Sequence, residues 1–304
     1  MKKITVFTAT FNRANKLPRA FNSLLKQTSK DFEWLIIDDG SSDNTEAIVN
    51  SFKEKADFPI RYFWKENGGR HTAANYSYKY INTPYVVTLD SDDELTSNAI
   101  ELMIKTWESI PIEKYNKCWC ISGREIDSRN NSMIGKAYPQ NINNLTGKKL
   151  RKEILKYPGE KHCCRKTEIL IQYPFPIYPD TKFVTENVVW EQINRSYDQW
   201  CVNDIYGIYH SDSSDGLTNK GIHKNTRHRT FYYAGLFYVN YLFDEFFYNR
   251  QVPYYVVNVS RCAMLTNTSY LEVMKSINKW YKRVFVTFGY PISALWIFFH
   301  KKQL

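Results

Sequence analysis

The sequence predicts an α/β domain built on a doubly wound, mixed sheet flanked by helices, with a helical region at the carboxyl end. In the first half, short runs rich in β-branched and aromatic residues alternate with longer amphipathic segments. Polar residues follow each of these runs. From about residue 224 onward, apolar residues recur at helical spacing. These patterns predict one domain over residues 1–223 and a helical region over residues 224–304.

The first 110 residues carry the clearest element patterns. The predicted strands cover residues 4–8, 34–38, 60–64 and 85–89. The predicted helices cover residues 16–26, 45–53 and 72–80. Asp43 and Glu46 form a cap-like pair at the start of the second helix. Ligands of such sheets bind beyond the carboxyl ends of the strands, so the residues after each strand form the candidate site.

The rest of the chain is less regular. The predicted elements are a strand at 118–124, a helix at 146–156, a turn-rich stretch with four prolines at 157–179, and helices at 231–247, 254–264 and 270–286.

Composition limits the classes of partner and the compartment. The net charge of +10 favours attraction of phosphates, whether on a nucleotide, a nucleic acid or an anionic lipid. The amino terminus does not resemble a signal peptide, so we expect a cytoplasmic protein. The six cysteines form no paired CxxC motif, and we expect reduced thiols.

Three carboxylates follow the fourth predicted strand within four positions: Asp90, Asp92 and Asp93. Such a cluster repels itself unless a cation is present. Mg²⁺ or Mn²⁺, which prefer oxygen ligands, would neutralise it and could bridge to a diphosphate. The alternative is a solvated turn whose aspartates cap the helix near Thr96.

Four strand-end motifs together resemble the family-2 inverting glycosyltransferases of the GT-A fold. The resemblance is specific over about residues 3–110, looser to about residue 220, and not informative beyond. It implies that residues 1–110 bind a nucleotide-sugar and residues 111–223 bind the acceptor. The matching motifs are Thr8-Ala9-Thr10-Phe11-Asn12-Arg13, Ile36-Ile37-Asp38-Asp39-Gly40-Ser41-Ser42-Asp43, Asn67-x-Gly69-x5-Asn75 and Leu89-Asp90-Ser91-Asp92-Asp93.

The resemblance also implies roles for individual residues. The Asp39 carboxylate would accept from the imide N–H of a base, usually uracil, and the Phe11 ring would pack on that base. Asp92 would bind the metal. His210 would be an additional ligand of the metal or of a phosphate, in a loop that resembles the family's closing segment at 208–212 and 216–218. The implied nucleotide-sugar contacts are Thr8, Thr10, Phe11, Arg13, Asp39, Arg70, Asp90 and Ser91.

Each assignment has a structural alternative. Phe11 could pack in the core, Asp39 could form a turn with the serines that follow it, and Arg70 could be an ordinary surface arginine. A single histidine after a strand, such as His210, could equally be structural.

Inversion at the anomeric carbon requires a base on the acceptor hydroxyl. Family members commonly carry a Glu-Asp pair near the start of a helix, and the second acid is the usual base. This chain has Glu186 followed by Asn187, which cannot accept a proton usefully near neutral pH. Glu186 is therefore the expected base, and Asp180 and Glu191 are poorer candidates. Alternatively, Glu186 is an acid that favours the dipole at a helix amino terminus.

The carboxyl-terminal pattern is typical of an interfacial anchor. Basic and aromatic residues at 279–283 precede an apolar run at 284–299 and a basic end at 300–302. The run is shorter than the roughly 20 residues of a spanning helix and contains Gly289 and Pro291. We therefore expect peripheral contact with the inner face of the cell membrane. A second basic run has a solvated helix face as its alternative; it comprises Lys220, His223, Lys224, Arg227, His228 and Arg229.

The expected function is metal-dependent, inverting transfer of a sugar from a UDP-sugar to a glycan or lipid-linked acceptor in bacterial surface-polysaccharide synthesis. Three alternatives remain open. A nucleic-acid-binding protein would use the positive charge and the aromatic residues, but the acidic cluster argues against nucleic acid as a partner. A catalytically inactive, membrane-docked nucleotide binder would explain Asn187. A nucleotidyltransferase would need a glycine-rich, basic triphosphate loop, which the sequence lacks.

Overall fold

The computed structural model describes residues 2–211 and 224–300. The chain divides into two compact units. The first comprises Met1–Phe175 and Ile193–Ser213, and the second comprises Pro176–Gln192 and Ser214–Leu304. We describe each unit separately.

The described residues contain eight strands and twelve α-helices. The strands are Ile4–Thr10 (β1), Phe32–Asp38 (β2), Ile60–Trp64 (β3), Tyr85–Thr88 (β4), Glu94–Leu95 (β5), Cys118–Asp127 (β6), His162–Lys166 (β7) and Asp198–Tyr209 (β8). The first seven helices are Leu17–Leu25 (α1), Thr45–Lys55 (α2), Arg70–Ser77 (α3), Ala99–Ser109 (α4), Ile112–Tyr115 (α5), Gly147–Ile154 (α6) and Thr167–Leu170 (α7). The others are Asn187–Ser196 (α8), Lys224–Tyr241 (α9), Gln251–Leu265 (α10), Tyr270–Ser276 (α11) and Trp280–His300 (α12).

One mixed sheet organises the first unit. Its strand order, within the described residues, is β3-β2-β1-β4-β7-β6-β8-β5. β3, β2, β1 and β4 are mutually parallel. β7 runs antiparallel to both of its neighbours, β4 and β6. β8 is parallel to β6, and β5 is antiparallel to β8.

The parallel register places the ends of the first four strands at one edge of the sheet. Thr10 lies opposite Asp38, and Asp38 lies opposite Trp64. On the other side of β1, Phe7 lies opposite Thr88. The prediction that the polar strand-end residues share one edge is therefore confirmed.

Aromatic packing and one buried hydroxyl tie the parallel strands together. Phe21 of α1 stacks on Phe52 of α2, with ring centroids 4.2 Å apart, beside the fully buried Trp34 of β2. The Thr8 hydroxyl accepts a hydrogen bond from Trp34 Nε1 at 2.9 Å and donates to the Leu89 carbonyl at 2.7 Å. The side chain of Thr8 thus links β1 to β2 and to Leu89, the residue that follows β4, from inside the core.

Small residues allow close helix packing in the second unit. A Cβ added to Gly235 of α9 would lie 2.5 Å from Val259, and one added to Gly289 of α12 would lie 2.5 Å from the Ser260 hydroxyl. Ser293 of α12 donates to a carbonyl of α10 at 3.2 Å. These contacts pack α9 and α12 against α10.

Residues 176–192 belong to this helical unit, which the sequence boundary at residue 223 did not anticipate. The hydroxyl of Thr230 in α9 donates to the Phe183 carbonyl at 2.8 Å and lies 3.1 Å from the Thr181 hydroxyl. The basic run at residues 220–229 is described only in part, because residues 220 and 223 lie outside the described residues.

Three local predictions were wrong. The stretch at 157–179 contains β7, whose sequence His-Cys-Cys-Arg-Lys has no strand-like pattern. The single helix predicted at 270–286 is two helices, α11 and α12. Between them, Asn278 donates to Asn240 through its backbone N–H and its side chain, so these groups do not continue the hydrogen bonding of a helix. The start of α2 differs from the predicted pattern, since Asn44 is the N-cap and Asp43 accepts from the N–H and hydroxyl of Thr45, the first residue of the helix.

We expect Thr8→Val to lower the free energy of unfolding by about 1–3 kcal/mol. Valine has a similar size but leaves the Trp34 N–H and the Leu89 carbonyl without their buried partner. Urea unfolding followed by tryptophan fluorescence measures the change. Thr146→Val is the matched control, because Thr146 is exposed and makes no side-chain cap bond. Equal effects of the two substitutions would contradict the linking role of Thr8.

Candidate functional site

The loops that follow β1 and β2 are fastened to each other. The Asn12 side-chain oxygen accepts from the Ser42 N–H at 2.8 Å, and the Asn12 N–H donates to the Ser41 hydroxyl at 2.8 Å. The Asp43 carboxylate accepts from the Ala14 N–H at 3.0 Å. Asn12 adopts a positive φ of 51°, which asparagine tolerates better than most residues. Side chains from two strand ends thus form one surface.

The Asp39 carboxylate is buried and anchors the loop after β3. It accepts from the N–H groups of Gly68 at 3.0 Å and Gly69 at 2.7 Å. It also pairs with Lys65 Nζ at 2.6 Å and accepts from Asn67 Nδ2 at 3.2 Å. The sequence assigned this carboxylate to a base. In the structure its oxygens hold the loop, and the contact with a base stays a prediction.

Two arginines offset the acidic cluster after β4. Arg13 Nη1 lies 3.0 Å from Asp92 Oδ2, and Arg70 pairs with Asp90. Arg19 donates to the Asp92 carbonyl at 2.7 Å. The strand-end motifs therefore contact one another, and basic side chains offset part of the negative charge of the cluster.

Asp93, the third carboxylate of the cluster, has a raised pKa. Burial is the main reason that the pKa of Asp93 rises to about 8, and the nearby charges of Asp90 and Asp92 add to it. The His210 N–H, which donates to Asp93 at 2.8 Å, acts in the opposite direction. A neutral Asp93 near pH 7 lowers the self-repulsion of the cluster, whereas a cation bound beside it would favour its charged form.

The predicted nucleotide contacts differ in accessibility. The Phe11 side chain is 46% exposed, which excludes the core-packing alternative. Thr8, Thr10 and Ser91 are buried, so their side chains lie beneath the surface of this edge. The Thr10 carbonyl accepts from the Asp39 N–H at 2.8 Å. The direct nucleotide contacts assigned to these three residues stay predictions.

The acidic edge is suited to a metal ion whose ligands come partly from the protein and partly from a bound phosphate group. Among residues 2–211 and 224–300, no three His, Cys, Asp or Glu side chains form a metal-binding group. Mg²⁺ and related ions in phosphate sites commonly use one or two carboxylates, with phosphate and water oxygens completing the shell. Asp92 offers such a carboxylate. His210 Nε2 lies 2.7 Å from Glu94, so binding through that nitrogen would require Glu94 to move.

The predicted base lies in the second unit. Glu186 immediately precedes α8, and its carbonyl accepts from the N–H groups of Val189 at 3.0 Å and Trp190 at 3.1 Å. This position also fits the helix-terminus alternative. Asp180, the poorer candidate, already pairs with Arg229 and accepts from the Tyr233 hydroxyl at 2.8 Å.

Sequence reasoning missed three residues that organise the edge. Lys65 and Arg19 bond to Asp39 and to the Asp92 backbone, but nothing in their local pattern distinguishes them from surface cations. His71 of α3 is buried, and within the described part of the chain neither of its ring nitrogens has a hydrogen-bond partner. Burial lowers the pKa of His71, and the nearby charge of Asp39 acts in the opposite direction.

Replacing Asp39 with Asn should loosen the loop after β3. The amide group cannot match the four donors, so we expect the N–H groups of Gly68 and Gly69 to exchange about tenfold faster or more, since bonds to a charged acceptor contribute ~1.5–3 kcal/mol. Hydrogen exchange resolved by NMR measures this. Asp57→Asn, which changes an exposed ion pair with Lys30, is the control. Unchanged exchange at both glycines would contradict the anchoring role.

Comparisons with known proteins show which family the sequence resembles. Residues 5–163, just over half of the chain, match the family model described as glycosyl transferase family 2. An uncharacterised glycosyltransferase of Mycoplasma pneumoniae, the MG060 homolog, is 34% identical over 125 residues, which are 38% of this chain and 42% of that protein. The poly(ribitol-phosphate) beta-N-acetylglucosaminyltransferase TarP of Staphylococcus aureus is 40% identical over 103 residues, 33% of this chain and 32% of that protein. The matched part spans less than half the length of these relatives.

Solved structures share the fold at low sequence identity. S. aureus TarS 1-349 in complex with UDP-GlcNAc has a TM-score of 0.62 at 15% identity, covering 96% of this chain and 90% of that one. The Pyrobaculum calidifontis mannosyltransferase PcManGT in complex with GDP-Man and Mn²⁺ has a TM-score of 0.55 at 15% identity, covering 97% and 86%. The predicted GT-A fold and the family resemblance are both confirmed. The chain belongs to glycosyl transferase family 2.

Proposed function

We propose that this protein is a metal-dependent, inverting glycosyltransferase. It moves a sugar from a nucleotide-sugar, with a UDP-sugar as the expected donor, to a hydroxyl of a glycan or lipid-linked acceptor in bacterial surface-polysaccharide synthesis. The donor site is the edge formed by the ends of β1, β2 and β4. The observation that carries this proposal is the pairing of Asp92 with Arg13 and of Asp90 with Arg70.

Those two pairs are suited to exchange partners when a donor binds. The Asp92 and Arg13 side chains are 19% and 17% exposed, and those of Asp90 and Arg70 are 44% and 35% exposed, so ligand atoms can reach all four. A guanidinium binds phosphate oxygens as well as it binds a carboxylate. A diphosphate could therefore take over the arginines while a cation takes over the carboxylates.

Two named groups would supply the chemistry. The acceptor hydroxyl forms a bond to the anomeric carbon as the bond to the diphosphate breaks, and the electron pair leaves with the nucleoside diphosphate. Glu186 would accept the hydroxyl proton. Asp92, with His210 once Glu94 has moved away, would hold Mg²⁺ or Mn²⁺, which supplies Lewis-acid stabilisation of the leaving diphosphate.

The relatives support the class of donor and of product. TarP is named for transfer of N-acetylglucosamine to poly(ribitol phosphate). The match between the two proteins covers about a third of this chain. TarS and PcManGT share the fold and bind UDP-GlcNAc and GDP-Man, the latter with Mn²⁺. These names support a nucleoside diphosphate sugar with a divalent ion as the first donor set to assay.

The surface of α12 supports peripheral membrane contact. None of the helices within residues 2–211 and 224–300 combines the length and hydropathy of a membrane-spanning segment. Residues 284–299 carry no charge, and one face of α12 is exposed and apolar. A surface of this kind on a positively charged chain suits the headgroup region of an anionic bilayer. Its exposed apolar residues include Phe285, Phe288, Ile292, Leu295, Phe298 and Phe299.

Asp92→Asn and Glu186→Gln should both abolish turnover but differ in nucleotide binding. The first removes the proposed metal ligand, so we expect UDP affinity with Mn²⁺ to fall at least tenfold. The second removes only the proposed base, so UDP binding should stay within about twofold. Calorimetry with UDP, and UDP release from a panel of UDP-sugars in the presence of bacterial lipid extract, measure the two effects.

Asp204→Asn, an exposed aspartate on β8, is the control for loss of one negative charge. Full activity in Asp92→Asn would contradict the proposed donor site. Nucleotide binding by wild-type protein without turnover of any sugar would favour the inactive nucleotide binder, which Asn187 already motivates. No nucleotide binding at all would exclude both readings.

A double substitution, Phe288→Ser with Ile292→Ser, should weaken membrane binding. These side chains are 69% and 55% exposed, so their replacement removes apolar surface without opening the core. We expect at least tenfold weaker co-sedimentation with vesicles containing phosphatidylglycerol. Ile112→Ser, which alters a 75% exposed apolar residue of the sheet unit, is the control. Equal binding by all proteins would contradict contact through α12.

A further inference from the structure

The helical unit contains a cleft of about 460 Å³ whose lining includes none of the residues proposed above for sugar transfer. It lies between α9, α11 and the segment at 176–192. We call it the helical cleft and define it by Asp180, Arg229, Tyr233, Thr268, Glu272 and Lys275.

One wall of the helical cleft is a fixed polar network. Arg229 Nε lies 3.0 Å from Asp180 Oδ2, and the Tyr233 hydroxyl donates to Asp180 Oδ1 at 2.8 Å. Arg229 also donates to the Thr268 hydroxyl at 2.8 Å and to the Thr266 carbonyl at 3.1 Å. Because several bonds hold each group, little side-chain freedom remains to be lost when a ligand binds.

An aromatic pair stands beside this network. Tyr233 stacks on Tyr178 with ring centroids 3.7 Å apart and an interplanar angle of 4°. The stack fixes the plane of Tyr233, and the bond to Asp180 fixes its hydroxyl. Aromatic rings with a polar end pack against surfaces that are apolar but edged with hydroxyls. The C–H face of a sugar ring is such a surface.

The charges of the helical cleft balance. Asp180 and Glu272 stand against Arg229 and Lys275, and Asp180 already pairs with Arg229. Glu272 caps α11 by accepting from the Ser269 N–H at 2.9 Å. A balanced lining gives no net attraction to an anion. It offers acceptors and donors side by side, and this suits hydroxyl groups, which do both.

We propose that the helical cleft binds an uncharged saccharide. As a holding site for the acceptor glycan, this role rests on the proposed transfer reaction, but its occupancy can be measured without turnover. The class of ligand follows from the balanced charge, the fixed polar wall and the tyrosine pair. It is a saccharide site within the helical unit, made by side chains that the strand-end motifs do not include.

Saturation-transfer NMR on the full chain tests this, with maltotriose, cellotriose and chitotriose as neutral probes and inorganic phosphate as the charged comparator. We expect at least one trisaccharide to bind and Tyr233→Phe and Asp180→Asn each to weaken it about tenfold, the equivalent of ~1.4 kcal/mol. Both substitutions nearly preserve side-chain size. Tyr254→Phe, at an exposed tyrosine of α10 outside the cleft, should leave binding unchanged.

Three results would overturn the proposal: no binding by any trisaccharide, equal binding by the cleft variants and wild type, or displacement of the trisaccharide by phosphate. Thermal unfolding of each variant identifies any that fail to fold, and either of the two cleft variants suffices. UDP binding on the same samples separates the two ideas. Trisaccharide binding without UDP binding would support the saccharide site in the cleft and contradict the proposed transferase. UDP binding without trisaccharide binding would support the proposed donor site and contradict the saccharide site.

Discussion

The repulsion among carboxylates after β4 is the constraint around which the sheet edge is arranged. Three aspartates follow a short buried strand, and the parallel register brings the loop after β1 alongside them. Arg13 comes from that loop and Arg70 from the start of α3, so charge compensation depends on three separate elements meeting at one edge. Burial of Asp93, which raises its pKa to about 8, relieves the remaining charge. Because each exposed carboxylate is paired with an arginine, a diphosphate that takes over the arginines would leave the carboxylates for a cation.

Asp39 gives this edge its second fixed point. Its carboxylate accepts four hydrogen bonds from residues 65–69, and this loop leads directly into α3 and Arg70. A change at Asp39 would therefore reach the Asp90 pair through the backbone. The family motif at residues 36–43 and the motif at 67–75 are thus parts of one structural unit, although they lie far apart in sequence. Any contact of Asp39 with a base would add to this anchoring role.

The parallel half of the sheet could be predicted because its strands are short, apolar and punctuated by polar ends. β7 could not, since three of its five residues are His, Arg and Lys, and it is a strand because β4 and β6 lie on either side of it. Motifs located the acidic cluster and Arg13 and Arg70, but they gave no sign of the partners Lys65 and Arg19. The motif also gave no sign that Thr8, predicted as a nucleotide contact, links neighbouring strands through buried hydrogen bonds. The membership of residues 176–192 in the helical unit depends on tertiary bonds such as Thr230 to Phe183, which no local pattern reports.

The central claim is that the edge formed by β1, β2 and β4 takes up a nucleoside diphosphate together with a divalent ion. Electron paramagnetic resonance of Mn²⁺ tests it directly, because the six-line signal of the hydrated ion is lost when the ion binds to protein. With UDP present, the signal should fall in proportion to added protein to about one ion per chain, and it should fall much less without nucleotide, since Asp92 alone is a weak ligand. A Mn²⁺ signal that protein leaves unchanged with UDP, GDP and dTDP alike would contradict the account.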